Sequence, residues 1–165
     1  MNILTDPSMK EIVDDFCNEA DDLFNTLEIS LKLLENDPTN TKELEKFGQI
    51  IDRIMGAAKS IGASEIATFC ELGKLIGYKS SQVKDLPLIE VVVAVLSDSL
   101  DMLRIMNKSL RDGNDTSMTK INSKAFVTRL NWLSAKFKDI DRSSCAVEGN
   151  LNQNSIDELM KSLGL

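Results

Sequence analysis

The sequence predicts an all-α protein: an antiparallel helix bundle with an additional helix and a short C-terminal helical tail. Apolar residues recur every three or four positions along most of the 165 residues, which is the period of a helix that buries one face. Only 5% of the residues are aromatic and only three are prolines, and no segment has a convincing strand pattern. A chain of this length is typical of one compact domain, so the bundle is predicted to include most of it.

The first two helices are predicted from their apolar stripes and end signals. The first begins at Ser8, which fits a capping box with Glu11, and ends before the Asn-Asp-Pro turn at 36–38. The second begins near Thr41, and Gly62 ends it. The predicted stripes are Ile12, Phe16, Ala20, Leu23, Leu27, Leu31 and Leu34 in the first helix, and Leu44, Phe47, Ile51, Ile54, Ala58 and Ile61 in the second.

The later helices follow from the same period. The third is predicted over 64–76, closed by Gly77 and followed by a polar loop over 78–85. The fourth has Pro87 in its first turn, where proline is tolerated, and ends near Arg111. Another helix over 123–140 has the stripe Phe126, Leu130, Leu133 and Phe137, and Trp132 is predicted to be buried. The chain thus divides into a bundle (1–111), an additional helix packing on it (112–140), a flexible linker (141–154) and a tail (155–165).

The composition excludes several classes of site. The chain has no histidine, which removes Ser-His-Asp and Cys-His nucleophile arrangements, His-ligated metals and a phosphohistidine. The net charge is −7, with ten acids against two bases in residues 1–40. This balance argues against nucleic-acid binding, which depends mainly on Lys and Arg. Three widely spaced cysteines indicate neither a disulfide framework nor a metal clip. We therefore expect no metal or cofactor of the chain's own.

The sequence also predicts a cytoplasmic protein that does not enter the membrane. The N-terminus lacks the charged, apolar and cleavage regions of a signal peptide. The longest strongly apolar run, Leu86 to Leu96, contains Pro87 and Glu90 and is too short to span a bilayer.

The second helix has an unusual polar face. Glu45, Gln49, Asp52 and Gly56 lie opposite the core stripe, about one turn apart, and Gly48 lies nearby. A glycine inside a helix costs about 1 kcal/mol relative to alanine, and core packing does not require one on the outward face. The face indicates a partner that approaches closely or, alternatively, ordinary surface residues with tolerated glycines.

Part of this helix resembles a known family. Residues 51–58, Ile-Asp-Arg-Ile-Met-Gly-Ala-Ala, and 60–63, Ser-Ile-Gly-Ala, are similar to the signature helix of histidine phosphotransfer (HPt) domains, and the resemblance covers roughly residues 8–111. It implies a four-helix bundle that docks on the receiver domain of a response regulator. Asp52 stands where the family has its phosphorylated histidine, and Met55 where it has lysine. The chain therefore cannot relay phosphate in that way, but the resemblance still implies a docking face with Asp52, Arg53 and Gly56.

A second resemblance overlaps the first. Residues 45–51, Glu-Lys-Phe-Gly-Gln-Ile-Ile, are similar to the active-site helix of the CheZ family of chemotaxis phosphatases. That family has an acid four residues before a glutamine; the glutamine orients the water that attacks a receiver's aspartyl phosphate, and the acid holds the receiver's lysine. The resemblance implies these roles for Gln49 and Glu45, with Mg²⁺ supplied by the receiver. Glu45 replaces the family's aspartate.

The C-terminal tail resembles the receiver-binding peptide of the same family. That peptide is a short acidic amphipathic helix that ends in Ser-Leu-Gly and an aromatic residue, which Leu165 replaces. The resemblance implies a tether that raises the effective concentration of the receiver; the alternative is a helix that packs on its own domain. The residues expected to bind the partner are Ile156, Asp157, Leu159, Met160, Leu163 and Leu165.

The active-site helix and the tail both imply a CheY-like receiver domain as the partner. The first functional hypothesis is control of chemotaxis-type two-component signalling by promoting hydrolysis of the receiver's aspartyl phosphate. The second is a non-catalytic adaptor that sequesters or localises the receiver. The third is a bundle that self-associates through an exposed stripe, as a homodimer.

Overall fold

The computed structural model describes residue 4 and residues 6–114, 116, 124–143 and 150–165, and only the backbone of 140–143 and 150–154. These residues form six α-helices and a short 3-10 turn, Pro7–Met9, and none of them lies in a β-strand. The all-α prediction is therefore confirmed. The helices are α1 (Lys10–Asn36), α2 (Thr41–Ile61), α3 (Ser64–Ser81), α4 (Leu86–Arg111), α5 (Lys124–Ser143) and α6 (Asn150–Ser162).

Helices α1 to α4 form a four-helix bundle in chain order. α1 packs against α2 and α4, and α3 also packs against both of them. The connections between successive helices are short, at 37–40, 62–63 and 82–85, so neighbouring helices are antiparallel. α5 packs on α4, and α6 packs on α3 and α5. Both later helices therefore lie on the α3–α4 side of the bundle.

Polar contacts between α1 and α4 follow the antiparallel direction. The buried Asn107 side chain donates from Nδ2 to the Cys17 carbonyl oxygen at 3.0 Å and to Asp21 Oδ1 at 2.8 Å. Further along α1, Glu28 pairs with Arg104 at 3.0 Å. Residue numbers fall on α4 as they rise on α1, and bases from α4 offset part of the acidity of α1.

Two of the predicted helix ends are confirmed by their hydrogen bonds. Gly62 ends α2 with a left-handed φ of 81°, and the amide of Ala63 donates to the Ala58 carbonyl at 2.8 Å. Glycine takes this conformation without the steric cost of a Cβ. Asp85 caps α4, because its Oδ1 accepts from the Leu88 amide at 3.2 Å.

The start of the first helix differs from the prediction. The capping box at Ser8 is wrong, because Asp6 caps the turn before α1 and accepts from the Ser8 amide at 2.9 Å. The predicted stripe is also shifted at this end. Ile12 is exposed and Val13 is buried in its place, because the side of α1 that faces the bundle lies one residue further round the helix.

The third helix is longer than predicted. α3 continues through Gly77 to Ser81, so the predicted loop over 78–85 is wrong for its first four residues. Gly77 faces α2, where a Cβ would lie 3.7 Å from both the Leu44 carbonyl oxygen and the Phe47 ring. At that distance a Cβ would make ordinary van der Waals contact, so Gly77 lies in the packing interface between α2 and α3 and does not end a helix. In the added turn the Lys79 side chain is buried, and its ammonium lies 5.2 Å from the centre of the Phe137 ring of α5.

The apolar stripe of α5 is confirmed, but the prediction for Trp132 is wrong. Trp132 lies about 120° around the helix from that stripe, and 44% of it is exposed. The size of the side chain does not decide its burial here, because its position on the helix places it outside the core. The buried stripe residues are Phe126, Leu130, Leu133 and Phe137.

Two further findings concern the residues that the structure describes. None of their helices combines the length and the apolarity that a membrane crossing requires. No three of their Cys, Asp or Glu side chains come together as metal ligands would.

Candidate functional site

A groove of about 420 Å³ lies between α2 and α3, and we call it the α2–α3 groove. It contains both residues for which the sequence predicts catalytic roles, Glu45 and Gln49, together with Asp52 from the predicted docking face. The wall from α3 was not predicted. The groove is lined by Leu44, Glu45, Gly48, Gln49 and Asp52 from α2, and by Lys74, Tyr78, Ser81 and Gln82 from α3 and its C-cap.

The position of these side chains follows from the amphipathic pattern of α2. The core side of the helix is buried, as predicted from its stripe, with Phe47, Ile51 and Ile54 at most 1% exposed. Glu45 and Gln49 are four residues apart and therefore project from the same side of the helix. Both are exposed. The fold thus presents a carboxylate and a carboxamide together at an open surface.

Glu45 and Gln49 are available to a partner. Within the part of the chain that the structure describes, neither side chain has a hydrogen bond or an ion pair. A primary amide can accept from water through its oxygen and donate through its nitrogen, and a carboxylate accepts strongly from an ammonium group. Gly48, which lies between them, leaves open space, because a Cβ there would meet nothing within 4 Å.

Asp52 is held by a lysine from the opposite wall. Lys74 Nζ lies 2.6 Å from Asp52 Oδ1, and the two side chains are 41% and 50% exposed. An ion pair this exposed contributes only about 0–1 kcal/mol to stability, so a partner can compete for either group. The place of Lys74 opposite Asp52 depends on the antiparallel register of α2 and α3, so no sequence motif indicates it.

Two residues of the predicted docking face lie outside the groove lining. Arg53 points toward α1, where its NH2 group lies 2.5 Å from Glu19 Oε1. Gly56 is exposed on α2, one turn beyond Asp52, and a Cβ there would also meet nothing within 4 Å. The docking face predicted from the resemblance is therefore divided: Asp52 belongs to the groove, Gly56 lies beyond its end, and Arg53 connects α2 to α1.

The C-terminal tail packs on its own domain, which is the alternative that the sequence left open. Ile156, Met160 and Leu163 are buried in the core that α6 shares with α3 and α5. Leu159 and Leu165 are partly buried against the same core. The apolar side of the tail, which the resemblance assigns to receiver binding, is thus already covered by α3 and α5. The tail does not extend freely from the domain.

A polar contact also holds α6, and both ends of the linker predicted before it are helical. Asp157 accepts from Ser134 Oγ at 3.1 Å and pairs with Lys138 at 3.0 Å. α5 extends to Ser143 and α6 begins at Asn150, so helix occupies both ends of the predicted linker over 141–154. Its middle, 144–149, lies outside the described residues.

The thiols of the described region do not form a reactive site. Burial raises the pKa of Cys17 to about 11 and that of Cys70 to about 12, which keeps both protonated at neutral pH. Both are free cysteines. Cys145 lies outside the described residues.

The chain matches no family model, no curated protein and no solved structure.

Proposed function

We propose that the chain binds a CheY-like receiver domain through the α2–α3 groove and promotes hydrolysis of the receiver's aspartyl phosphate. One observation carries the proposal. Glu45 and Gln49 stand one turn apart in an open groove, both exposed and without partners among the described residues. These are the two groups that a water-positioning mechanism requires, at the spacing of the CheZ-like motif.

The chemistry asked of this chain is modest. A water molecule attacks the phosphorus atom, the bond between phosphorus and the receiver's carboxylate oxygen breaks, and inorganic phosphate and a free aspartate result. The receiver holds the Mg²⁺ that polarises the phosphoryl group. Gln49 positions the attacking water: its amide oxygen accepts a hydrogen bond from the water while its nitrogen donates to a phosphoryl oxygen. No covalent intermediate forms on this chain, so the lack of histidine is no obstacle.

The other groove residues suit contact with a receiver. Glu45 accepts from the receiver's lysine, which would otherwise stay paired with the phosphoryl group. Lys74 supplies, from α3, the positive charge that HPt domains carry on α2 and that Met55 replaces here. Because Lys74 neutralises Asp52 at 2.6 Å, the carboxylate at the histidine position does not repel an acidic receiver pocket as an unpaired one would.

A non-catalytic adaptor is the second candidate. The Asp52–Lys74 ion pair favours it, since a charge-balanced pair at the place of the relay histidine makes a docking surface that needs no chemistry. Under this alternative the groove sequesters or localises the receiver, and Gln49 is only a contact residue. Under either function, the chain acts on chemotaxis-type signalling in the cytoplasm. The tail takes part only if α6 leaves α3 and α5.

Phosphate release from a receiver charged with acetyl phosphate tests the proposal. The native chain should accelerate release, and Gln49→Ala should lower the acceleration at least about tenfold, as expected when a positioned catalytic contact is lost. Gln82→Ala removes another amide of the same groove and serves as the matched control, which should keep most of the activity.

A binding measurement separates the two candidates. Affinity for the receiver is measured with beryllofluoride in place of the phosphoryl group, so that hydrolysis does not interfere. Gln49→Ala should bind within about threefold of the native chain if its role is catalytic. If the native chain binds the receiver but does not accelerate phosphate release, the adaptor function is correct and the phosphatase function is wrong. If the chain neither binds the receiver nor accelerates phosphate release, the proposal is refuted.

A further inference from the structure

A second groove, which shares no residue with the first, lies between α4 and α5; we call it the α4–α5 groove. Its volume is about 450 Å³, which lies in the range of sites that take up large side chains or small ligands. Most of its lining is aliphatic or aromatic. The lining residues are Pro87, Glu90, Val91 and Ala94 from α4, and Thr128, Arg129 and Trp132 from α5.

The same surface also carries protruding apolar groups. Trp132 is 44% exposed, and Leu86, the first residue of α4, is 46% exposed. Tryptophan is among the residues that contribute most to protein–protein interfaces when a partner covers it. The face therefore offers both a large aromatic side chain and an apolar recess beside it.

The charges around the groove form a complementary set. Arg129 is already satisfied by an ion pair with Asp98. Glu90 on the α4 wall has no partner among the described residues. Lys136, one turn beyond Trp132, has its ammonium 5.4 Å from the centre of the indole ring and has no carboxylate partner in the described part of the chain. An unpaired acid and an unpaired base thus lie on the two walls of one face.

We propose that the α4–α5 groove is the contact surface between two copies of this chain. Trp132 of each copy enters the groove of the other, and Lys136 of each copy pairs with Glu90 of the other. A two-fold dimer requires a self-complementary patch, in which each contact occurs twice. This face has an aromatic side chain together with a recess that can receive one, and an acid together with a base that can pair with it. The assignment does not depend on the proposed function, because none of its residues lines the α2–α3 groove.

The size of the face sets the strength of the association. Stable complexes bury about 800 Å² on each partner, and one groove with two flanking apolar side chains covers less than that. The dimer is therefore weak, with a Kd between roughly 10 and 1,000 µM, and its concentration dependence is measurable.

The experiment uses the full chain from about 5 µM to about 1 mM, by sedimentation for mass and by intrinsic fluorescence for burial. Trp132 is the chain's only tryptophan, so its emission reports this face alone. The average mass should rise toward twice the monomer value, and the emission should shift to shorter wavelength over the same range. A chain that stays monomeric, or a mass increase without the emission shift, would overturn the proposal.

Charge reversal tests the pairing. Glu90→Lys and Lys136→Glu should each raise Kd at least about tenfold, and the double variant Glu90→Lys/Lys136→Glu should recover the native value within about threefold. Lys59→Glu reverses a charge at the exposed end of α2 and should change nothing. Far-ultraviolet circular dichroism checks that each variant is folded. Association that is unaffected by the single reversals, or a double variant weaker than both, would show that copies meet through another surface.

Discussion

Replacing the two outward glycines of α2 by alanine should raise stability and weaken binding of the partner at the same time. The substitutions are Gly48→Ala in the groove and Gly56→Ala beyond its end. At both positions an added Cβ meets nothing within 4 Å, so the methyl group creates no clash with the residues that the structure describes. The folded domain can therefore accept either change without moving a neighbour.

The magnitude of the stability gain follows from helix propensity. Alanine is favoured over glycine in a helix interior by about 1 kcal/mol, and neither position has a positive φ that would make alanine strained. Each variant should gain about 0.5–1 kcal/mol, which corresponds to roughly 1–4 °C in the unfolding temperature of a domain of this size. Gly73→Ala in α3 is the matched control, because its Cβ also meets nothing and it does not line the groove.

Urea unfolding followed by circular dichroism measures the gain, and binding of a beryllofluoride-charged receiver measures the effect on docking. All three variants should be more stable than the native chain. Gly48→Ala and Gly56→Ala should bind the receiver at least about fivefold more weakly, since a methyl group occupies space that the partner needs; Gly73→Ala should bind as the native chain does. If the two α2 variants are stabilised and still bind with native affinity, close approach of a partner does not explain these glycines.

Three other outcomes follow from the packing and the pKa shifts. Leu163→Ala should lower the free energy of unfolding by about 2–4 kcal/mol in urea titrations, because the side chain is 5% exposed; a tail that extended freely would give no change. Cys17 and Cys70, with pKa values raised by burial to about 11 and about 12, should react with iodoacetamide at pH 8 far more slowly in the native chain than in urea, as peptide mapping would show. The Arg104 hydrogen bond lowers the pKa of Glu28 below 4.5. The ionised Glu28 therefore stabilises the folded chain fully above pH 4.5, and this stabilisation is lost as the pH falls through the lowered pKa of the folded state. Glu28→Gln should therefore make the unfolding temperature fall less steeply with acidification, and an unchanged slope would contradict this reasoning.

The sequence predicted correctly those features of the fold that depend on residues close together in the chain. The stripes of α2 and α5 and the end of α2 at Gly62 depend on residues close in the chain, and the structure confirms them. Gly77 shows the limit of that reasoning. A glycine after an apolar stretch is typical of a helix end, but here it packs against the backbone of α2 at Leu44, a contact that depends on tertiary structure.

The sequence predicted the α2 side of the candidate groove but not the α3 side. Glu45, Gln49 and Asp52 share one helix, so their spacing alone places them on one side. Lys74 and Tyr78 come from α3, and nothing in the sequence states which turn of α3 faces which turn of α2. The tail shows the same limit, because an amphipathic helix reveals that it has an apolar side and not which surface covers it.

The contrast among the glycines bears on whether α2 serves a partner. Gly77 lies where α3 packs on α2, and a Cβ there would be in ordinary van der Waals contact with Leu44 and Phe47. Among the described residues, nothing lies within 4 Å of a Cβ at Gly48 or Gly56, and together the two glycines cost the helix about 1–2 kcal/mol. Packing among the described residues does not offset that cost, whereas a partner seated on this side of α2 would. Since the unpaired Glu45 and Gln49 lie on the same side, the helix propensity and the open polar groups independently favour one docking surface.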